Sequence, residues 1–166
     1  MEPKIELAKY RLEDAKEKLC SAEMLLNSNS FKDSVSRSYY AMFSAARALL
    51  AMKCLDSSKH SGIISLFNHH LVKTGIVGKR CGRILAKAKT VREKSDYGDF
   101  TVVTKEEANN QIEEAREFIQ EVEIALKTND RGRDLMESGN GQTSCFCGYF
   151  PGHFRGKKSG LGVLRY

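Results

Sequence analysis

Arg37 and Ser44 stand seven residues apart in the stretch FKDSVSRSYYAMFSAARALLAMK, Phe31 to Lys53. On an α-helix that is close to two turns, so both side chains leave the same side. A guanidinium offers a planar fork of donors that suits an oxyanion such as phosphate, and it stays charged at any ordinary pH. A hydroxyl adds a weak hydrogen bond there and does not titrate near pH 7. The plainer use of Arg37 is a structural ion pair with an acid on a neighbouring helix. Tyr40 lies about 60° around the helix from Arg37 and reaches the same surface, where its hydroxyl would meet phosphate or a partner. His60 titrates near neutrality and is a substitute acid or base if the chain folds back towards Arg37. Its plainer use is a hydrogen bond to backbone at the start of a helix.

Other reactive side chains are less well placed. His69 and His70 are adjacent and point different ways on a helix, with no cysteine or carboxylate at ligand spacing. Cys145, Cys147 and His153 offer three zinc ligands where a structural site normally needs four. Cys20, Cys54 and Cys81 are spaced as ordinary helix residues. The expectation is no metal and no cofactor.

The element that positions Arg37 has two unlike faces. Phe31, Val35, Tyr39, Met42, Phe43, Ala46, Leu49 and Leu50 make a bulky apolar face, and Arg37, Ala41, Ser44 and Ala48 share a second, small one. The bulky side predicts a core contact. The small side lets another backbone come close, from a second helix or a second subunit. Ala41, Ser44, Ala48 and Ala51 are accordingly the expected homodimer interface.

The rest of the chain reads as helices packed around this one. Pro3 suits a first helical turn, and Ile5, Ala8, Leu12, Ala15, Leu19, Ala22 and Leu26 form a seam spaced by threes and fours. Asn27 to Ser30 is a turn, with Ser30 as N-cap of the central helix. His60 to Val72 is a shorter helix stopped by Gly75. Lys79 to about Lys94 turns Ile84, Leu85, Ala88 and Val91 inward and Lys79, Arg80, Arg83, Lys87, Lys89 and Arg92 outward. Thr104 and Glu107 have capping-box spacing and open a last helix carrying Ala108, Ile112, Ala115, Ile119, Val122 and Leu126. No stretch alternates as a strand does. The fold class is all-α, an antiparallel up-down bundle of four long helices and a shorter one over residues 1–127. Residues 128–166 carry most of the glycines and no helical period, and they read as a basic tail, disordered or loosely docked.

Of the formal charge of +6, much sits after Asp130, where Arg131, Arg133, Arg155, Lys157, Lys158 and Arg165 face only Asp134 and Glu137. Overall basicity is therefore a poor argument for nucleic-acid binding by the bundle. Five cysteines, with neither a leader segment nor a disulfide framework, point to the cytoplasm. No run of about 18 apolar residues suggests a membrane span.

The stretch RSYYAMFSAARALL resembles the signature helix of HEPN-domain proteins, in their small stand-alone prokaryotic branch. KHSGIISLFNHHLVKTG (Lys59 to Gly75) and SDYGDF (Ser95 to Phe100) are similar to the same branch, and the likeness spans about Lys4 to Lys127. The resemblance implies a HEPN-like bundle and a metal-independent ribonuclease site, often formed where two protomers meet. The family motif is an arginine, four to six residues, then a histidine. Here Arg37 is the arginine, and after six residues Ser44 stands in place of the histidine. The implied role is binding of RNA or nucleotide at a dimer groove around Arg37, with Tyr40 and Arg47 as further contacts. Two alternatives stay open. One is an active endoribonuclease in which Arg37 works with another acid or base such as His60. The other is a protein-interaction scaffold with no nucleic-acid role. The resemblance also implies a toxin-like protein paired with a nucleotidyltransferase antitoxin.

Overall fold

The computed structural model describes residues 2–97 and 102–134. The chain runs α1 (Pro3–Asn27), α2 (Phe31–Met52), α3 (His60–Phe67, continuing into a π-helical turn at Asn68–Val72), α4 (Lys79–Tyr97) and α5 (Lys105–Asp134). Among the described residues all regular structure is helical, as the periodicity predicts.

Local chemistry sets the boundaries. Pro3 sits at the start of α1, where a missing N–H costs nothing. Asn29 takes a left-handed φ of 62° in the α1–α2 turn, a conformation that asparagine tolerates better than most residues. Ser30 occupies the N-cap position of α2, but its side chain makes no capping hydrogen bond. Gly75 ends the third helical segment with φ 76°. At α5 the capping box forms: Glu107 N–H donates to Thr104 Oγ1 at 3.2 Å, and Thr104 N–H donates to Glu107 Oε2 at 2.9 Å.

Packing makes α2 the centre. It touches α1, α3, α4 and α5, and its bulky face fills the core with Tyr39, Met42, Leu49 and Leu50, joined by Phe67, Leu85 and Phe118. A buried polar seam fixes how α5 docks. Gln111 Nε2 donates to Val35 O at 2.8 Å and to Ser38 Oγ at 2.9 Å, while Ser34 Oγ donates to Ala22 O at 2.8 Å. Each buried polar group thereby keeps the partner it needs.

The small-residue face corrects an expectation. Ala41, Ser44, Ala48 and Ala51 are all buried within the single chain, in a core that α1 completes with Leu12 and Ala15. Short side chains on α2 let the α1 backbone approach along the whole hairpin. That face is therefore closed by α1 and is not an open subunit interface.

The last helix also differs, running on to Asp134 rather than ending near Lys127. Its last core residues among those described are Ala125 and Leu126. A chain ending at Lys127 should therefore keep the helical circular dichroism and melting temperature of the full protein. A large fall in melting temperature would show that later residues support the core. The Cys145, Cys147 and His153 zinc reading, and the tail from residue 135 onward, lie outside the described residues.

Candidate functional site

Helix α2 is buried on most sides, but a narrow stripe stays open. Arg37 is exposed and Tyr40, Phe43 and Arg47 are half-buried, while their neighbours Ser38, Tyr39, Ala41, Met42 and Ser44 are buried. Steps of three, three and four residues keep this stripe on one side of the helix. One rim is α1, through Arg11, Asp14 and Lys18. The other is His60 at the start of α3 together with Arg92 of α4. Lys18 reaches Ser44 from α1, Arg11 reaches the backbone of Arg47, and His60 and Arg92 reach Tyr40 from the other side.

Arg37 makes no hydrogen bond and no ion pair with the described residues, so the plainer use of Arg37, a structural ion pair, is not seen among them. Its charge nonetheless reaches Asp14. Arg47 is held firmly: Nε and Nη2 meet the Asp56 carboxylate at 3.2 and 2.7 Å. Arg11 shares that carboxylate at 2.8 Å and also donates to Arg47 O at 3.1 Å. Burial works to raise the Asp56 carboxyl, but the hydrogen bonds from Arg47 and Arg11 outweigh it and hold it below the usual carboxylate range. Arg47 is thereby a fixed charge at the rim with a committed fork, a weaker ligand contact than the sequence suggests.

Where the sequence shows only Ser44, the fold adds a lysine. Lys18 Nζ donates to Ser44 Oγ at 2.9 Å and to the Asp14 carboxylate. Burial tends to raise the Asp14 carboxyl, yet hydrogen bonds from Lys18 and Ser44, and the charges of Lys18 and Arg37, hold it below its ordinary value. Sequence spacing carries no signal for Lys18, because it lies on another helix among other charged residues.

His60 packs back onto α2 at Tyr39, Tyr40 and Phe43. Its ring stacks on Phe43 with centroids 4.3 Å apart and meets Tyr40 edge-on. Its Nδ1 lies 3.0 Å from the hydroxyl of buried Tyr39, so its fixed partner is a side chain rather than backbone. Phe43 is six residues beyond Arg37, about 9 Å along the helix axis. Burial pushes the Tyr39 phenol up to about 12, so it stays protonated beside the imidazole, and the tautomer of His60 sets which of the two donates. Arg92, expected to point outward, lies over the Tyr40 ring at 5.3 Å, a cation–π contact.

Burial and then the charges of Arg92, Lys89 and Arg47 hold His60 below its ordinary value. On acidification the unfolded chain takes up this proton first. The stabilising contribution is therefore complete above the ordinary histidine value and is lost as pH falls towards the lowered one. A chemical-shift titration of the His60 ring should give a midpoint below about 6.5. His60→Phe should lose less stability than wild type on acidification. A midpoint at or above 6.5 would contradict the packing described.

The HEPN domain model matches residues 8–125, which contain the whole of α2, α3 and α4. The chain belongs to the HEPN domain family. Its relatives include the "Putative toxin MJ0605" of Methanocaldococcus jannaschii, 39% identical over 116 residues that cover 70% of this chain and 86% of that protein. A "UPF0332 protein" of Thermotoga maritima is 35% identical over 127 residues, covering 76% of this chain and 96% of its own length. "Putative toxin MJ0142", also from Methanocaldococcus jannaschii, is 32% identical over 108 residues, covering 65% and 74%. The all-α HEPN fold expected from the sequence is the fold observed, and the HEPN match stops where the α5 core contacts stop. No helix among the described residues is long and apolar enough to cross a membrane. No group of three metal-ligating side chains is brought together among them.

Proposed function

We propose that the protein is a toxin-like HEPN protein that binds RNA or nucleotide phosphate at the open stripe of α2 around Arg37, without an efficient cleavage step. Arg37 carries this reading. Arg11 and Arg47 share Asp56 and Arg92 pairs with Asp96, whereas the exposed Arg37 fork is uncommitted among the described residues. An arginine in that state, beside half-buried aromatics, contributes little to folding and is ready for an oxyanion. Relatives named as toxins support the toxin-like part. In this reading two protomers place their Arg37 stripes across a shared groove, and a nucleotidyltransferase antitoxin is the partner. The closed α1–α2 face leaves the stripe and its rims for these contacts.

Cleavage needs a proton-transfer group, and position 44 supplies none. General acid–base catalysis is worth about 10²–10⁴-fold. One observation favours the second reading, an active ribonuclease: His60 stacks on Phe43 at the same stripe. Its lowered pKa favours the neutral imidazole at pH 7, which serves as a base and not as an acid. Incubating labelled single-stranded RNA with wild type, Arg37→Ala, His60→Ala and Ser44→His separates the readings. The binding reading expects wild type to retain RNA without cutting it, and Arg37→Ala to lose retention. Cutting by wild type that both Arg37→Ala and His60→Ala abolish would establish the ribonuclease instead. Equal RNA binding by wild type and Arg37→Ala would remove the site altogether.

A further inference from the structure

We propose that Lys18 is a second phosphate-binding cation of this site, delivered by α1 to the position where the family motif has its histidine. The proposal rests on the phosphate-binding reading above and adds a residue from outside the motif helix.

The geometry is that of a prepared cation. An ammonium has three donors. One goes to Ser44 Oγ at 2.9 Å and one to Asp14, and the third has no partner among the described residues. The Lys18 side chain keeps 25% of its exposure, so that donor has a way to solvent. An ordinary i,i+4 pair with Asp14 would not require the bond across to α2. Ser44 has its own part in this arrangement: it accepts from Lys18, and so holds the lysine head against the α2 surface.

Asp14 is the counter-charge. It pairs with Lys18, and the charge of Arg37 also lowers its carboxyl. Two positive charges and one carboxylate leave one unit of positive charge, which matches the single negative charge of a phosphodiester. A diester also has two non-bridging oxygens, one for the Arg37 fork and one for the Lys18 ammonium. The ligand class is therefore an internal phosphate of a single-stranded RNA. The Asp14 carboxylate opposes its entry and keeps binding moderate.

The test is fluorescence anisotropy of the full chain with a short labelled single-stranded RNA across a range of salt concentrations. Lys18→Gln should weaken binding about tenfold and flatten the slope of log affinity against log salt by about 0.7, as expected for one lost contact to a single strand. A purely structural role for Lys18 would leave that slope unchanged. Lys18→Arg should bind nearly as wild type. Asp14→Asn, which keeps an acceptor for Lys18 but removes the opposing charge, should bind several-fold tighter. If Arg37→Ala weakens binding while Lys18→Gln keeps wild-type affinity and slope, Lys18 is not a ligand contact and the Arg37 site stands alone. If neither variant weakens binding, the phosphate-binding reading itself fails. Weaker binding by Asp14→Asn would overturn the counter-charge role even if Lys18→Gln misfolds.

Discussion

Arg37→Ala should weaken binding of single-stranded RNA by about 10- to 100-fold while the melting curve stays close to that of wild type. The binding loss follows from what a phosphate loses. A charge-assisted hydrogen bond is worth about 1.5–3 kcal/mol, and each 1.4 kcal/mol is tenfold in affinity. The unchanged melt follows from the surroundings. The side chain is exposed and makes no hydrogen bond or ion pair among the described residues, and surface substitutions of that kind usually shift stability by no more than about 0.5 kcal/mol. Anisotropy titrations and calorimetry on the same preparations check both halves. A folded variant with undiminished affinity would rule out Arg37 as the anchor. A large fall in melting temperature would reveal a structural role.

Phe118→Ala should cost about 3–5 kcal/mol of folding stability, the range for deleting a fully buried aromatic ring. Phe118 has no exposed surface, and its ring lies 5.4 Å from that of Phe67. It therefore locks α5 to the end of α3. The backbone hydrogen bonds of neighbouring helices keep the site from closing up freely, so a cavity remains and adds to the lost transfer energy. Since domains of this size commonly have only about 5–15 kcal/mol in hand, the loss should be visible in chemical denaturation as a lower midpoint at similar slope. A loss below about 1 kcal/mol would mean the core around Phe118 is not packed as described.

The contrast between these residues shows which parts of the molecule were legible in the sequence. The α1 seam, the bulky face of α2 and the Thr104–Glu107 cap were legible because periodicity and capping are local properties. The return of His60 to α2 was legible as an option because the connection from α2 is short, and His60 does meet Tyr40 there. The small face was legible as a face, but periodicity does not say what covers it, and α1 rather than a second subunit does. Lys18 and Arg92 were missed for one reason. Each reaches α2 from another helix, α1 and α4, and only the docking of those helices onto α2 brings Lys18 to Ser44 and Arg92 over Tyr40. The π-helical turn at Asn68–Val72 was also hidden, since its residues continue the apolar pattern of an ordinary helix.

The claim on which the account turns is that RNA sits on the open stripe of α2. The most direct measurement is ultraviolet crosslinking of a 4-thiouridine-labelled single-stranded RNA to the full chain, with the attached peptides mapped by mass spectrometry. The account predicts crosslinks concentrated between Arg37 and Arg47, with Tyr40 and Phe43 as the main acceptors, and their loss in Arg37→Ala. Crosslinks confined to residues beyond 134, or to the outer face of α4, and unaffected by Arg37→Ala would contradict it.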